Sequence, residues 1–154
     1  MLLDPAVYLR RHLTPGFAVA FATAHVLRTL GKPESGVAVW LRYTWSYRTG
    51  GSAFDRMSAG RRQTLRESAP GVFADFRLGD GSHIAIADLA RIRRPVTIIT
   101  ADLHPSFLRR SADYLIGRLP HPRTISIANA GHAIAFDQPE ALIGALRDVL
   151  SGTD

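Results

Sequence analysis

No cysteine occurs among the 154 residues, which excludes a disulfide framework, a thiolate nucleophile and a cysteine-bound metal. No apolar run approaches the roughly 18 residues that suggest a membrane span, so no membrane association is expected. The opening Met1-Leu2-Leu3-Asp4-Pro5 has no basic segment ahead of an apolar one and does not read as a signal peptide. A cytoplasmic location is the expectation. Lysine is nearly missing too. Lys32 is the only one, so the basic side of the +6 net charge, 19 residues against 13 acidic, is almost all arginine. These arginines are scattered as Arg10-Arg11, Arg61-Arg62, Arg93-Arg94 and Arg109-Arg110. Nucleic acid is bound by a stripe or cluster of cations; dispersed pairs without a binding motif give no reason to expect that partner. His12, His25, His83 and His121 show no His-x-x-x-His or Glu-x-x-His spacing, and no glycine-rich phosphate loop occurs, so neither a metal nor another cofactor is expected.

What is present is an ordinary globular composition, 46% hydrophobic and 21% charged, in a length that normally makes one domain. The texture changes near residue 90. Before it, Phe17, Phe21, Ala24, Leu27 and Leu30 recur at helical spacing up to Gly31 and Pro33. Val37, Trp40, Leu41 and Thr44 make a second stripe, stopped by Gly50-Gly51. Ser58 is placed to cap a third, polar helix through Leu65 to about Ala69, closed by Pro70-Gly71. From there to about residue 88 the chain reads as loop, with Phe73 and Phe76 as anchors.

After residue 90 the order is strand, helix, strand, helix. Pro95 to Thr100 is a β-branched run suited to a buried parallel strand. Pro105 suits a first helical turn, and Leu108, Ala112, Leu115 and Leu119 supply an apolar face before Pro120. Thr124 to Ala128 reads as a second strand. Asp137 is placed to cap the last helix, with Glu140 in a capping-box relation and Leu142, Ala145, Leu146 and Val149 facing inward. Parallel strands joined by helices predict an α/β fold.

The stretch with most chemical content is Ile127-Ala128-Asn129-Ala130-Gly131-His132-Ala133, followed by Asp137-Gln138-Pro139-Glu140. A histidine in the loop leaving a buried strand is presented at the carboxyl edge of a parallel sheet, where ligands and catalytic groups gather. A neutral imidazole there can take a proton from a nucleophile and return it to a leaving group. On these residues the chain resembles the α/β-hydrolase fold family. "ANAGHAIAFDQPEALIGALRDVL" looks like its last strand, histidine loop and final helix. "LARIRRPVTIITADLHPSFLRRSADYLIGRLP" looks like the preceding strand and helix, and "MLLDPAV" like the end of the strand before the cap insertion.

The resemblance implies a partial hydrolase fold of about three parallel strands, divided as residues 1–7 (end of a core strand), 8–90 (helical cap) and 91–154 (carboxyl-terminal α/β segment). It implies hydrolysis of an ester, amide or lactone-type bond in a small apolar substrate, with His132 as the base of a nucleophile–histidine–acid triad. Trp40, Tyr43 and Phe73, with Trp45, Tyr47 and Phe76, are candidates to line the substrate pocket under the cap. The family's acid position falls on His104, which cannot supply a fixed negative charge, so Asp4 and Asp102 are the candidate acids. No Gly-x-Ser-x-Gly elbow is present. Gly50-Gly51-Ser52-Ala53-Phe54 has half the pattern and follows a helix, and Gly81-Ser82-His83 lacks the spacing. The chain is therefore expected to be inactive alone and to need a nucleophile from elsewhere. A sheet with an unpaired edge and bare apolar faces predicts self-association or a complementary chain. The alternative is a non-catalytic binding or interaction module on the same scaffold.

Overall fold

The structure, a computed structural model, describes residues 1–3, 5, 14–78 and 86–152. Three strands form one parallel sheet: β1 (Leu2–Leu3), β2 (Thr97–Ala101) and β3 (Arg123–Ile127), in the order β1-β2-β3. Leu2 pairs with Ile98, and β2 runs beside β3 with Thr97 opposite Arg123 and Ala101 opposite Ile127. The α/β class expected from the strand–helix alternation is the class the chain adopts, with helices flanking the sheet. Alternation of side chains along β2 sends Ile98 one way and Ile99 the other. Ile98 packs on Leu115 and Leu119, the stripe of α7 (Ser106–Ile116) and its exit. Ile99, Ala101 and Ile127 pack on Leu142 and Ala145 of α9 (Pro139–Ser151).

The amino-terminal half is helical: α1 (Pro15–Thr29), α2 (Pro33–Thr44), α3 (Ala53–Arg56), α4 (Ala59–Glu67) and α5 (Ala69–Leu78), with the short α6 (Ile86–Leu89) before β2. Pro33 does not close α1; it opens α2 at the first helical position, where no N–H is lost. Ser58 caps α4, its hydroxyl accepting from the Arg61 N–H at 3.3 Å. The loop expected from Pro70 onward is corrected. Pro70 and Gly71 lie in the first turn of α5, where proline is tolerated, and burial of Phe73 against the other helices outweighs the ~1 kcal/mol that glycine costs.

These helices share an aromatic core. Trp40 meets Phe17 edge-on at 5.2 Å and Phe76 at 4.8 Å, and Phe73 meets Phe76 at 5.4 Å. The cluster extends onto α7 through Phe107 and Leu108, with Phe107 5.7 Å from Phe17 and stacked on Tyr43 at 5.3 Å. Thus α7 faces the helices with its first turn and the sheet with its last. Among the described residues no helix is long and apolar enough to cross a membrane.

Candidate functional site

His132 lies where the strand pattern placed it, in the loop leaving β3 at the carboxyl edge of the sheet, and it is half-buried. The turn out of β3 is made at Asn129, whose φ of 57° is left-handed and is tolerated best by asparagine among residues with a side chain other than aspartate. Two loops are then laced together. The Asp102 N–H donates to the Ile127 carbonyl at 3.2 Å, and the Leu103 N–H donates to that of Ala130 at 2.9 Å. In return the Ala130 N–H donates to Asp102 Oδ1 at 3.3 Å. A third segment joins them, the Arg48 N–H donating to the Leu103 carbonyl at 2.7 Å.

Asp102, one of the two candidate acids, therefore spends an oxygen bracing the histidine loop's backbone, and its side chain is otherwise exposed. Asp4, the other, lies outside the described residues. His104 is buried at 5% exposure. It lines a cleft of about 350 Å³ between α7 and the β2–β3 edge. Thr100 and Ser126, opposite each other across the strands, line the same cleft with Arg48 and Arg109.

The substrate-lining candidates have these places. Trp40 and Phe73 are buried in the aromatic core at 8% and 4% exposure. Tyr43 is half-buried against Phe107, its hydroxyl 2.7 Å from Thr14 Oγ1, and burial raises its pKa. Phe73 also borders a cleft of about 280 Å³ with Arg28, Pro33 and Ala69, the Arg28 guanidinium lying 5.2 Å above its ring. Ser52, in the half-elbow sequence, has extended backbone (φ −147°) rather than a strained elbow, and its hydroxyl caps α3 by accepting from the Phe54 N–H at 3.2 Å.

One constellation was not legible beforehand. Asp137 does not cap the last helix; that correction follows from the geometry. It ends the short α8 (Ile134–Asp137), and α9 begins after Gln138 with Pro139 and no side-chain cap. The Asp137 side chain is 1% exposed. A buried carboxylate must have its oxygens satisfied, and both are. Oδ2 accepts from the Gly131 N–H at 2.8 Å, and Oδ1 accepts from the Tyr47 hydroxyl at 2.6 Å. Arg56 Nη1 donates to the Tyr47 oxygen at 3.0 Å and lies 3.7 Å from Oδ1. Gly131 is required here for space. A Cβ on it would sit 2.8 Å from two carbons of the Tyr47 ring.

This arrangement fixes the sign of a pH effect. Burial first, and then the Asp137 carboxylate, push the Tyr47 phenol from its ordinary value of 10 up to about 12, with Arg56 opposing. A raised pKa on a group that is neutral below it means that the unfolded chain loses the proton first. The stabilisation is complete below pH 10 and is lost as the pH rises toward 12. Absorbance titration of tyrosinate should find one phenol with a midpoint near 12, and Asp137→Asn should move that midpoint down toward 10. A full set of ordinary phenols in the folded protein would refute the assignment.

Among the described residues no group of three or more histidine and carboxylate side chains that could hold a metal occurs. Compared with known proteins, the chain matches no family model, no curated protein and no solved structure.

Proposed function

We propose that the chain is the histidine-bearing part of an α/β-hydrolase-type enzyme that cleaves an ester, amide or lactone-type bond in a small apolar substrate. The observation that carries this reading is the placement of His132. It follows the parallel strand β3, whose last residue Ile127 is buried, stands at the carboxyl edge of the sheet, and is one residue beyond a backbone amide pinned by a buried carboxylate. A general base needs such a position: exposed enough to meet a nucleophile and held well enough to keep its geometry. Asp4 is the preferred acid, because an Asp102 oxygen is engaged with the Ala130 N–H. The nucleophile and the elbow that strains it come from residues outside these 154, in a preceding segment or another cytoplasmic chain.

The surface supports a partner. The edge strand β1 exposes Leu2 and Leu3, at 37% and 45%, and α1 exposes Val19 and Val26, followed by Leu30 at its carboxyl-terminal cap. An open strand edge invites another strand, and an apolar patch invites cover.

The test begins with the coding sequence on the 5′ side of Met1, read for a strand followed by Gly-x-Ser-x-Gly. The longest product is then assayed for p-nitrophenyl ester turnover and for fluorophosphonate labelling at that serine. Turnover with a labelled serine supports the reading. A full-length product without an elbow that leaves every ester intact, and whose partners supply no labelled serine, overturns it in favour of a binding module.

A further inference from the structure

We propose that Tyr47 and Asp137 are positioning residues for His132, a tyrosine of the helical half and a carboxylate of the loop that together fix the imidazole at the sheet edge. The inference rests on the reading of His132 as the reacting base, but its first test does not depend on turnover.

The loop is closed on itself by Asp137. Its carboxylate holds the Gly131 N–H at 2.8 Å, while its own N–H donates to the Ala133 carbonyl at 3.0 Å. His132 lies inside that closed segment, directly after the pinned glycine. The second carboxylate oxygen is held by Tyr47, ninety residues away in the chain. The direction of that bond is also set. Arg56 donates to the phenol oxygen, so the phenol has its own proton left to give, and the carboxylate is the acceptor it faces. A hydrogen bond to an ionised acceptor is shorter and stronger than a neutral one, as the 2.6 Å separation reflects.

Tyr47 is itself held rigidly. Its N–H donates to the Gly51 carbonyl at 3.0 Å, its carbonyl accepts from the Gly50 N–H at 3.0 Å, and Ser46 and Ser52 bridge across the turn. Gly50 and Gly51 take φ of 102° and 77°, which side chains rarely permit. The turn thus delivers a ring into the space left by Gly131 and a hydroxyl onto Asp137. A reacting base has to be held to within about 0.5 Å, and this strut links the base's loop to the part of the chain that would cover a substrate. Motion of the 46–52 turn is then felt at His132.

The experiment is NMR on the folded protein with Tyr47→Phe, which keeps the ring and deletes the hydroxyl. Three quantities are read: the His132 Hε1–Cε1 cross-peak, the exchange rate of the Gly131 amide, and the thermal midpoint. The cross-peak is expected to shift or split, and Gly131 exchange to accelerate about tenfold or more, as the loss of one charge-assisted hydrogen bond implies. The double variant Tyr47→Phe/Asp137→Asn should disturb His132 no more than Asp137→Asn alone, because the two act as one unit. An unchanged His132 cross-peak in folded Tyr47→Phe, whatever its melting temperature, makes the contact structural only and overturns the proposal. If Asp137→Asn does not fold, Tyr47→Phe alone decides it. In an ester-hydrolysing assembly, Tyr47→Phe should lower kcat and leave KM within twofold; a change in KM alone overturns it. An assembly with no turnover defeats the functional reading, while the NMR result still decides the positioning.

Discussion

Phe107→Ala should lower the stability of this chain by about 3–5 kcal/mol and separate its unfolding into two transitions. Phe107 is 2% exposed and sits on the first turn of α7, yet its ring belongs to the helical half. It meets Phe17 edge-on at 5.7 Å and stacks on Tyr43 at 5.3 Å with the planes 12° apart. Leu115, on the last turn of the same helix, packs instead on Ile98 of the sheet. The helix is therefore a shared wall, and Phe107 is the large side chain on its helical side. Truncating it removes the transfer energy of the ring and leaves a cavity lined by aromatics that hold one another and cannot collapse inward. Leu115→Ala is the matched control. It removes a residue of 5% exposure from the sheet side and should cost about 2–5 kcal/mol. Chemical denaturation followed by tryptophan fluorescence and by far-UV circular dichroism reads both. Trp40 and Trp45 lie in the helical half, so for Phe107→Ala the fluorescence change should precede the loss of total helix. For Leu115→Ala the two signals should stay closer together. Coincident transitions in Phe107→Ala, with a loss under 1 kcal/mol, would refute the idea that this ring couples the halves.

The sequence made some of this legible because certain residues answer to local physics. Ile98 and Ile99 sit in a β-branched run behind a proline, and no competing arrangement buries both of their faces as well as a parallel strand does. Ala112, Leu115 and Leu119 repeat at helical spacing and are all buried. Ser58 needs only the N–H groups just ahead of it in the chain. Where tertiary partners decide, local reading failed. Pro70-Gly71 is a stop signal in isolation, yet Phe73 gains enough from the aromatic core to carry a helix through it. Asp137 with Glu140 three residues on is the local signature of a capping box, but an acceptor that can reach Tyr47 and the Gly131 amide together gains more there than at a helix start. Tyr47 stands in the sequence as one of six aromatics that are candidates to line a pocket, which says nothing of its bond to Asp137. The neighbouring Gly50-Gly51 marked a turn, and a turn is what aims its hydroxyl. The position of His132 just after β3 was legible, since a strand followed by Gly-His needs no distant partner to be recognised.

His132→Ala is expected to lower kcat of an active assembly by about 10⁴- to 10⁶-fold while leaving the fold intact. The magnitude follows from what a triad base does: without it the nucleophile keeps its proton and the leaving group receives none, and residual catalysis comes from binding and the oxyanion site alone. The fold should tolerate the change because His132 is half-buried and the bonds of Asp102 and Asp137 to the Ala130 and Gly131 amides stay in place. Circular dichroism and the thermal midpoint should therefore stay near those of the parent. The companion variants separate the two acids. If Asp4 orients the imidazole, Asp4→Asn costs about 10⁴-fold in kcat through the wrong tautomer. Asp102→Asn, which keeps a carbonyl oxygen for the Ala130 N–H, should then change kcat by less than about tenfold, a change of 1.4 kcal/mol or less. The reverse pattern would make Asp102 the acid and require its loop to release Ala130 when substrate binds. Activity unaltered by His132→Ala would remove the imidazole from the chemistry altogether, and the buried carboxylate behind it would then be bracing a loop of purely structural use.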